Sequence, residues 1–206
     1  MNEKEGVIKF SLEYETAPAL PAADITELNA WRKIMVMMGM IGQDDARYAG
    51  YGFGNISCRI EGNRFVISGT QTGSIADLTA EHYAVVTACF GAENRVVAEG
   101  PVKPSSESMT HGIVYQLAPD IDWVIHVHDP HIWQAAERLN IPQTAADIPY
   151  GTPEMSAAVE RLYAETDMKT QKIFSMAGHE DGVVAFGKTA EEAGGILLNM
   201  LALALQ

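Results

Sequence analysis

Four strand-like runs follow one another between residues 56 and 98 with no helical period between them. Residues 56–60 and 64–68 flank Glu61-Gly62-Asn63, the chemistry of a tight turn, and are predicted to form a hairpin. A polar loop follows over residues 69–74, and residues 84–87 and 95–98 are predicted as further strands. The two strands of a hairpin pair antiparallel.

Elsewhere helical and strand patterns mix without strict alternation. Asp24 and Thr26 can each cap a helix start, Glu27 stands three after Asp24, and Leu28, Trp31, Met35 and Met38 follow at helical spacing. Further helices are predicted over 106–117, 131–139, 153–164 and 189–205. Pro153 suits a first turn, and Thr189 with Glu192 suits a capping box. Strands are predicted over 123–128, 173–176 and 183–186. Residues 1–23 contain Pro18 and Pro21, lack a clear period and read as an N-terminal arm. Residues 24–206 read as one α/β domain in which helices flank a mostly antiparallel central sheet. There is no internal repeat.

The charge pattern narrows the partners. Lys and Arg number 14 against 27 Asp and Glu, a formal charge of −13, and no basic run offers a local exception, so nucleic acid is an unsuitable partner. An anionic small molecule remains compatible if amides and hydroxyls bind it. Met1-Asn2-Glu3-Lys4-Glu5 is not followed by an apolar signal region, and the longest apolar run, near 197–205, falls well short of the ~20 residues that span a bilayer. Cys58 and Cys89 have no Cys or His at finger spacing and read as core or strand residues. These features point to a protein of the reducing cytoplasm, with no membrane partner.

Three segments hold chemistry. In His126-Val127-His128, a strand projects both imidazoles from one face and Val127 from the other. Two histidines so placed can share a metal, or they can be two half-buried polar side chains. His179, between Gly178 and Gly182, could supply the third ligand of a catalytic site that keeps one position open. Glu107 begins a helix, where a carboxylate complements the macrodipole; next to a metal it could be an acid/base. Ser105 and Ser106 are either helix caps or, with unpaired amides, an anion site. His111 and Tyr115, one and two turns after Glu107, either orient its carboxylate or pack in the core. His82 reads as exposed, and His131 as a capping or exposed residue.

These residues lie in a recognisable order. Gly54-Asn55-Ile56-Ser57-x-Arg59, Ser68-Gly69, Pro104-Ser105-Ser106-Glu107 with His111 and Tyr115, His126-x-His128, Gly151-Thr152-Pro153-Glu154, His179 and Gly187 follow one another along the chain. Over roughly residues 25–205 this resembles the class II aldolase/adducin family, which includes fuculose-phosphate and rhamnulose-phosphate aldolases and ribulose-phosphate 4-epimerase. The resemblance implies a three-layer α/β/α fold, with zinc or another divalent metal on His126, His128 and His179. It makes Glu107 the proton-transfer group. It makes Asn55, Ser68, Gly69, Ser105 and Ser106 the holders of a substrate phosphate. It implies a homo-oligomer, a tetramer in related aldolases, and an aldolase-type lyase acting on a small phosphorylated sugar or related hydroxy-carbonyl compound. The alternatives on this scaffold are a sugar-phosphate 4-epimerase and a non-catalytic, metal-retaining protein of the adducin-like branch.

The departures fall on the aldehyde side of such a site. The segment 140–150 is short, so the catalytic tyrosine carried there by fuculose-type aldolases has no evident counterpart, although Tyr150 stands at its end. The sequence stops at Gln206 within its last helix, without the tail that often carries a second tyrosine. Gly52 replaces a usual hydroxyl residue, Asn-His-Gly becomes Gly178-His179-Glu180-Asp181-Gly182, and the loop 70–74 is unusually polar. These changes leave substrate and reaction type open, decarboxylation and dehydration included.

Overall fold

The computed structural model describes residues 6–206; the predicted absence of a signal region concerns Met1–Glu5 and lies outside them. Strands β1 (Ser11–Thr16), β4 (Asn55–Glu61), β5 (Arg64–Ser68), β6 (Tyr83–Phe90), β7 (Arg95–Gly100), β8 (Trp123–His128), β9 (Ile173–Ser175) and β10 (Gly182–Gly187) form one sheet, in the order β1-β7-β6-β5-β4-β8-β10-β9. A two-stranded ribbon, β2 (Gly42–Gln43) with β3 (Gly52–Phe53), stands beside it. The successive runs at 56–98 pair antiparallel as predicted. The mostly antiparallel sheet needs correction, however: β1 runs parallel to β7, so the sheet is mixed. Ser11–Thr16, within the segment predicted as an N-terminal arm, form this edge strand. They were illegible because one face and one edge of the strand meet solvent, which weakens any hydrophobic period.

Helices cover both faces. On one, α2 (Ser108–Leu117) and α4 (Pro153–Glu165) enclose a core containing Phe65, Ile67, Val86, Met109, Ile113, Val124 and Phe186. On the other, α1 (Thr26–Met37) and α6 (Ala190–Ala204) pack over Ile56, Ile125, Val127, Val183 and Ala185. Period-two alternation in the strands feeds both cores at once, giving three layers. Two short helices, α3 (Pro130–Gln134) and α5 (Met168–Gln171), complete the chain; the predicted helix over 131–139 survives only as α3.

The caps are mostly where local chemistry requires them. The Thr152 hydroxyl accepts from Met155 N with Pro153 in the first turn of α4, and the Thr189 hydroxyl accepts from Glu192 N at the start of α6. Neither Asp24 nor Thr26 caps α1, because a 3-10 turn over Ala22–Ile25 delivers the chain into it. Motif residue Arg59 serves the fold. Its guanidinium donates to the carbonyls of Tyr115 (2.6 Å), Ala118 (3.0 Å) and Ile121 (2.7 Å), satisfying the C-terminal end of α2.

Two glycines set the geometry around the future site. Gly54 has φ +72°, and a Cβ there would lie 2.7 Å from Ile41 and 3.1 Å from the His126 carbonyl. At Gly73 a Cβ would lie 2.2 Å from the Gly42 carbonyl, so only glycine lets the loop after β5 rest on the β2–β3 ribbon. That loop is anchored from beneath by Arg32 on α1, only 2% exposed, which donates to the carbonyls of Thr72 (2.9 Å) and Ala76 (3.1 Å).

Candidate active site

His126 and His128 leave β8 on the side of Val124, toward α2, while Val127 enters the opposite core, as the alternation predicts. The turn between β9 and β10 brings His179 to them, held by His179 N to Met176 O and Gly182 N to His179 O, both 2.9 Å. One ligand atom from each histidine lies within 4.8 Å of the other two, and His179 Nε2 is 2.9 Å from His128 Nε2. All three rings are buried.

The cluster fits a metal on its own chemistry. His126 Nδ1 lies 3.2 Å from the Val183 carbonyl, which can only accept, so this nitrogen carries the proton and Nε2 carries the lone pair. His126 Nε2 is buried with no hydrogen-bond partner among the described residues. Leaving such an atom unused costs ~1–3 kcal/mol, and a cation held by all three converging imidazoles is a group that would use it. Burial is the largest cause holding His126 and His128 well below the ordinary histidine range, and the neighbouring histidines add to it. Both are therefore neutral, the form in which imidazole ligates a metal.

Glu107 stands at the N-terminal cap of α2, 1% exposed, yet makes no capping hydrogen bond. The Thr110 hydroxyl donates to its Oε2 at 2.7 Å, and its Oε1 lies 3.7 Å from His179 Nδ1. Ser105 does the local capping instead, accepting from Glu107 N at its hydroxyl and from Ser108 N at its carbonyl. The Glu107 carboxylate is thus directed at the histidine cluster rather than at the helix end.

Asn55, Gly69, Ser105 and Ser106 line one polar pocket with the loop residues Gln71–Gly73. Ser68 stays behind it: its hydroxyl accepts from Ile56 N inside the sheet. His111 and Tyr115 are joined through Ser57, whose hydroxyl is 2.6 Å from His111 Nδ1 and 2.7 Å from the Tyr115 hydroxyl. Burial pushes His111 down to about 3. Tyr150 is fully buried, its hydroxyl 3.2 Å from both Val7 N and Val7 O and its ring edge-on to His179 at 4.5 Å. His82 caps its own turn through Thr79, and His131 is exposed at the start of α3.

Sequence reasoning missed Arg32, Arg47, Tyr48 and Thr110. Thr110 carried a signal, since it lies three residues after Glu107 on a helix. Tyr48 carried none: its hydroxyl meets Asp181, 133 residues away, at 2.6 Å.

Comparison with known proteins places the chain among relatives of one family. The sequence model described as Class II Aldolase and Adducin N-terminal domain matches residues 43–204. A 3-oxo-tetronate 4-phosphate decarboxylase of Haemophilus influenzae is 27% identical over 181 residues, covering 80% of each chain. An L-ribulose-5-phosphate 4-epimerase of Salmonella paratyphi B is 28% identical over 116 residues, 47% of this chain and 51% of the epimerase. Among solved structures, L-fuculose-1-phosphate aldolase from Thermus thermophilus superposes with a TM-score of 0.65 at 20% identity, covering 90% of this chain and 92% of that one. A putative aldolase/epimerase/decarboxylase from Klebsiella pneumoniae gives 0.65 at 16% identity, covering 90% and 89%. Sequence order, fold and the family match converge, and the chain belongs to the class II aldolase and adducin N-terminal domain family.

Proposed function

We propose that this protein is a zinc-dependent lyase that breaks a carbon–carbon bond next to a carbonyl in a small phosphorylated hydroxy-carbonyl compound. The observation that carries the reading is the buried Glu107 carboxylate 3.7 Å from His179, beside three converging imidazoles. His126, His128 and His179 would hold the metal, which when bound supplies a Lewis acid for the substrate carbonyl. Glu107, kept in orientation by Thr110, moves the proton at the carbon that loses its neighbour. The polar pocket of Asn55, Gly69, Ser105 and Ser106 receives the phosphate. In a chain of charge −13, amides and hydroxyls are the means to bind an anion there.

Decarboxylation is a second reading, supported by the Haemophilus relative, which matches over most of both chains. It needs the same carbonyl activation and the same proton transfer, with carbon dioxide in place of an aldehyde as the leaving fragment. The test is turnover of fuculose 1-phosphate, ribulose 5-phosphate and 3-oxotetronate 4-phosphate with zinc present. Aldehyde release supports the first reading, carbon dioxide release the second, and inversion without cleavage an epimerase. No chelator-sensitive turnover of any of them would leave the non-catalytic reading standing. We also propose a homo-oligomer, which light scattering would show; a monomer would refute it. No helix among the described residues is long and apolar enough to cross a membrane.

A further inference from the structure

The loop between β2 and β3 carries a feature that the proposed chemistry does not use. Tyr48 and Ala49 have φ of +48° and +55°, two consecutive left-handed residues that both bear a Cβ. Such conformations persist only where surrounding contacts enforce them. Here the contacts converge on the histidine cluster. The Tyr48 hydroxyl donates to Asp181 Oδ2 at 2.6 Å, and Asp181, itself at φ +61°, lies two residues after His179 in the ligand-bearing turn. Arg47 Nη2 donates to the Tyr48 hydroxyl oxygen at 2.7 Å and to the His128 carbonyl at 3.1 Å, while its Nη1 donates to Gly39 O at 3.0 Å. The Tyr48 ring stands edge-on to His128 at 4.6 Å and to Phe53 at 5.0 Å.

The end of β8 is joined to the β9–β10 turn by the β8–β10 pairing, in which His128 stands opposite Gly182, and by Asp129 N donating to Asp181 O at 2.9 Å; the Tyr48 side chain adds a tie between the same two segments, next to both rings. From the shared contacts of Tyr48, Arg47 and Asp181 we infer that this trio is a clamp that fixes the spacing of His128 and His179 for the metal. Tyr48 is a positioning residue: its ring braces one ligand and its hydroxyl holds the turn that bears the other. The left-handed backbone at Tyr48 and Ala49 goes with these bonds and ring contacts. Outer groups that orient ligands in this way typically change metal affinity by about 10- to 100-fold when removed.

The inference rests on the metal reading above, and the experiment separates the two. Zinc affinity is measured on metal-stripped full-length protein by competition with a chromophoric chelator, for wild type, Tyr48→Phe, Asp181→Ala and the double variant, with a melting curve for each; alanine is used at 181 because it leaves no acceptor for the Tyr48 hydroxyl. The clamp predicts that each single variant weakens zinc binding about 10- to 100-fold. It also predicts that the double variant is no worse than the weaker single one, since both remove the same bond. A contact that merely supports the loop lowers the melting temperature and leaves zinc affinity unchanged. Wild-type affinity retained within about twofold in both single variants, or additive losses in the double, overturns the clamp while leaving the metal site in place. If Tyr48→Phe does not fold, Asp181→Ala alone decides by the same criterion. Wild-type protein that binds no zinc overturns the metal reading and the clamp together.

Discussion

Glu107→Gln separates an acid/base from a helix-end charge more sharply than other single changes, because the geometry makes it almost isosteric. The Thr110 hydroxyl donates to Oε2 at 2.7 Å, and the glutamine carbonyl can accept the same bond. Glu107 makes no capping hydrogen bond, so none is lost at the start of α2. The structural cost includes the macrodipole interaction of one carboxylate, about 0.3–1 kcal/mol, beside the changed interaction with His179 Nδ1 3.7 Å away. In a domain of this size that lowers the melting temperature by roughly 1–4 °C. The three histidines are untouched, so zinc content is expected to match wild type. The chemical cost is of another order: removing a positioned general acid/base typically lowers turnover by about 10²–10⁴-fold. The assay is turnover of whichever phosphorylated compound the wild type cleaves, with metal content and a melting curve on the same preparation. A variant that keeps zinc and stability yet retains more than about a tenth of wild-type turnover would falsify the assignment of Glu107 as the acid/base.

Other outcomes follow from the same geometry. Under the proposed metal reading, purified wild-type protein is expected to carry near-stoichiometric zinc, and His126→Ala and His179→Ala are each expected to lose most of it, measured by elemental analysis; undiminished zinc in either would remove that residue from the ligand set. Arg32→Ala deprives the Thr72 and Ala76 carbonyls of a buried donor and leaves a cavity, so a loss of about 3–5 kcal/mol is expected in denaturant unfolding, against under about 0.5 kcal/mol for Lys33→Ala on the exposed face of α1. His111 is held at about 3 in the fold against ~6.5 in the unfolded chain, so the unfolded state takes up its proton first as pH falls. Its contribution is neutral above about pH 6.5 and increasingly destabilising below it, by about 3 kcal/mol at pH 4. His111→Gln should therefore lose less stability than wild type between pH 7 and 4, and parallel acid profiles would refute this. Tyr150 is buried with its hydroxyl committed to Val7, so it is not placed as an aldehyde-side proton donor, and cleavage of fuculose 1-phosphate should be weak. A rate matching a dedicated fuculose-phosphate aldolase, assayed side by side with zinc, would contradict this.

What the sequence determined by itself was local in character. Alternation placed His126 and His128 on one face of β8 with Val127 on the other, because side-chain direction in a strand has a period of two whatever surrounds it. Thr152, Pro153 and Thr189 specified where α4 and α6 begin, because a cap satisfies amides only three residues away. The order of the motifs pointed to the third histidine and to Glu107, although no spacing rule could show that they meet. Tertiary structure alone decided the rest. Only packing turned the Glu107 carboxylate toward His179 instead of its own helix amides. Only sheet assembly could seat Ser11–Thr16 beside β7 as a parallel edge strand, since a half-exposed strand leaves too weak a period to be read. The bond from Tyr48 to Asp181 spans 133 residues, and no local propensity encodes a contact whose two halves are brought together by the sheet between them.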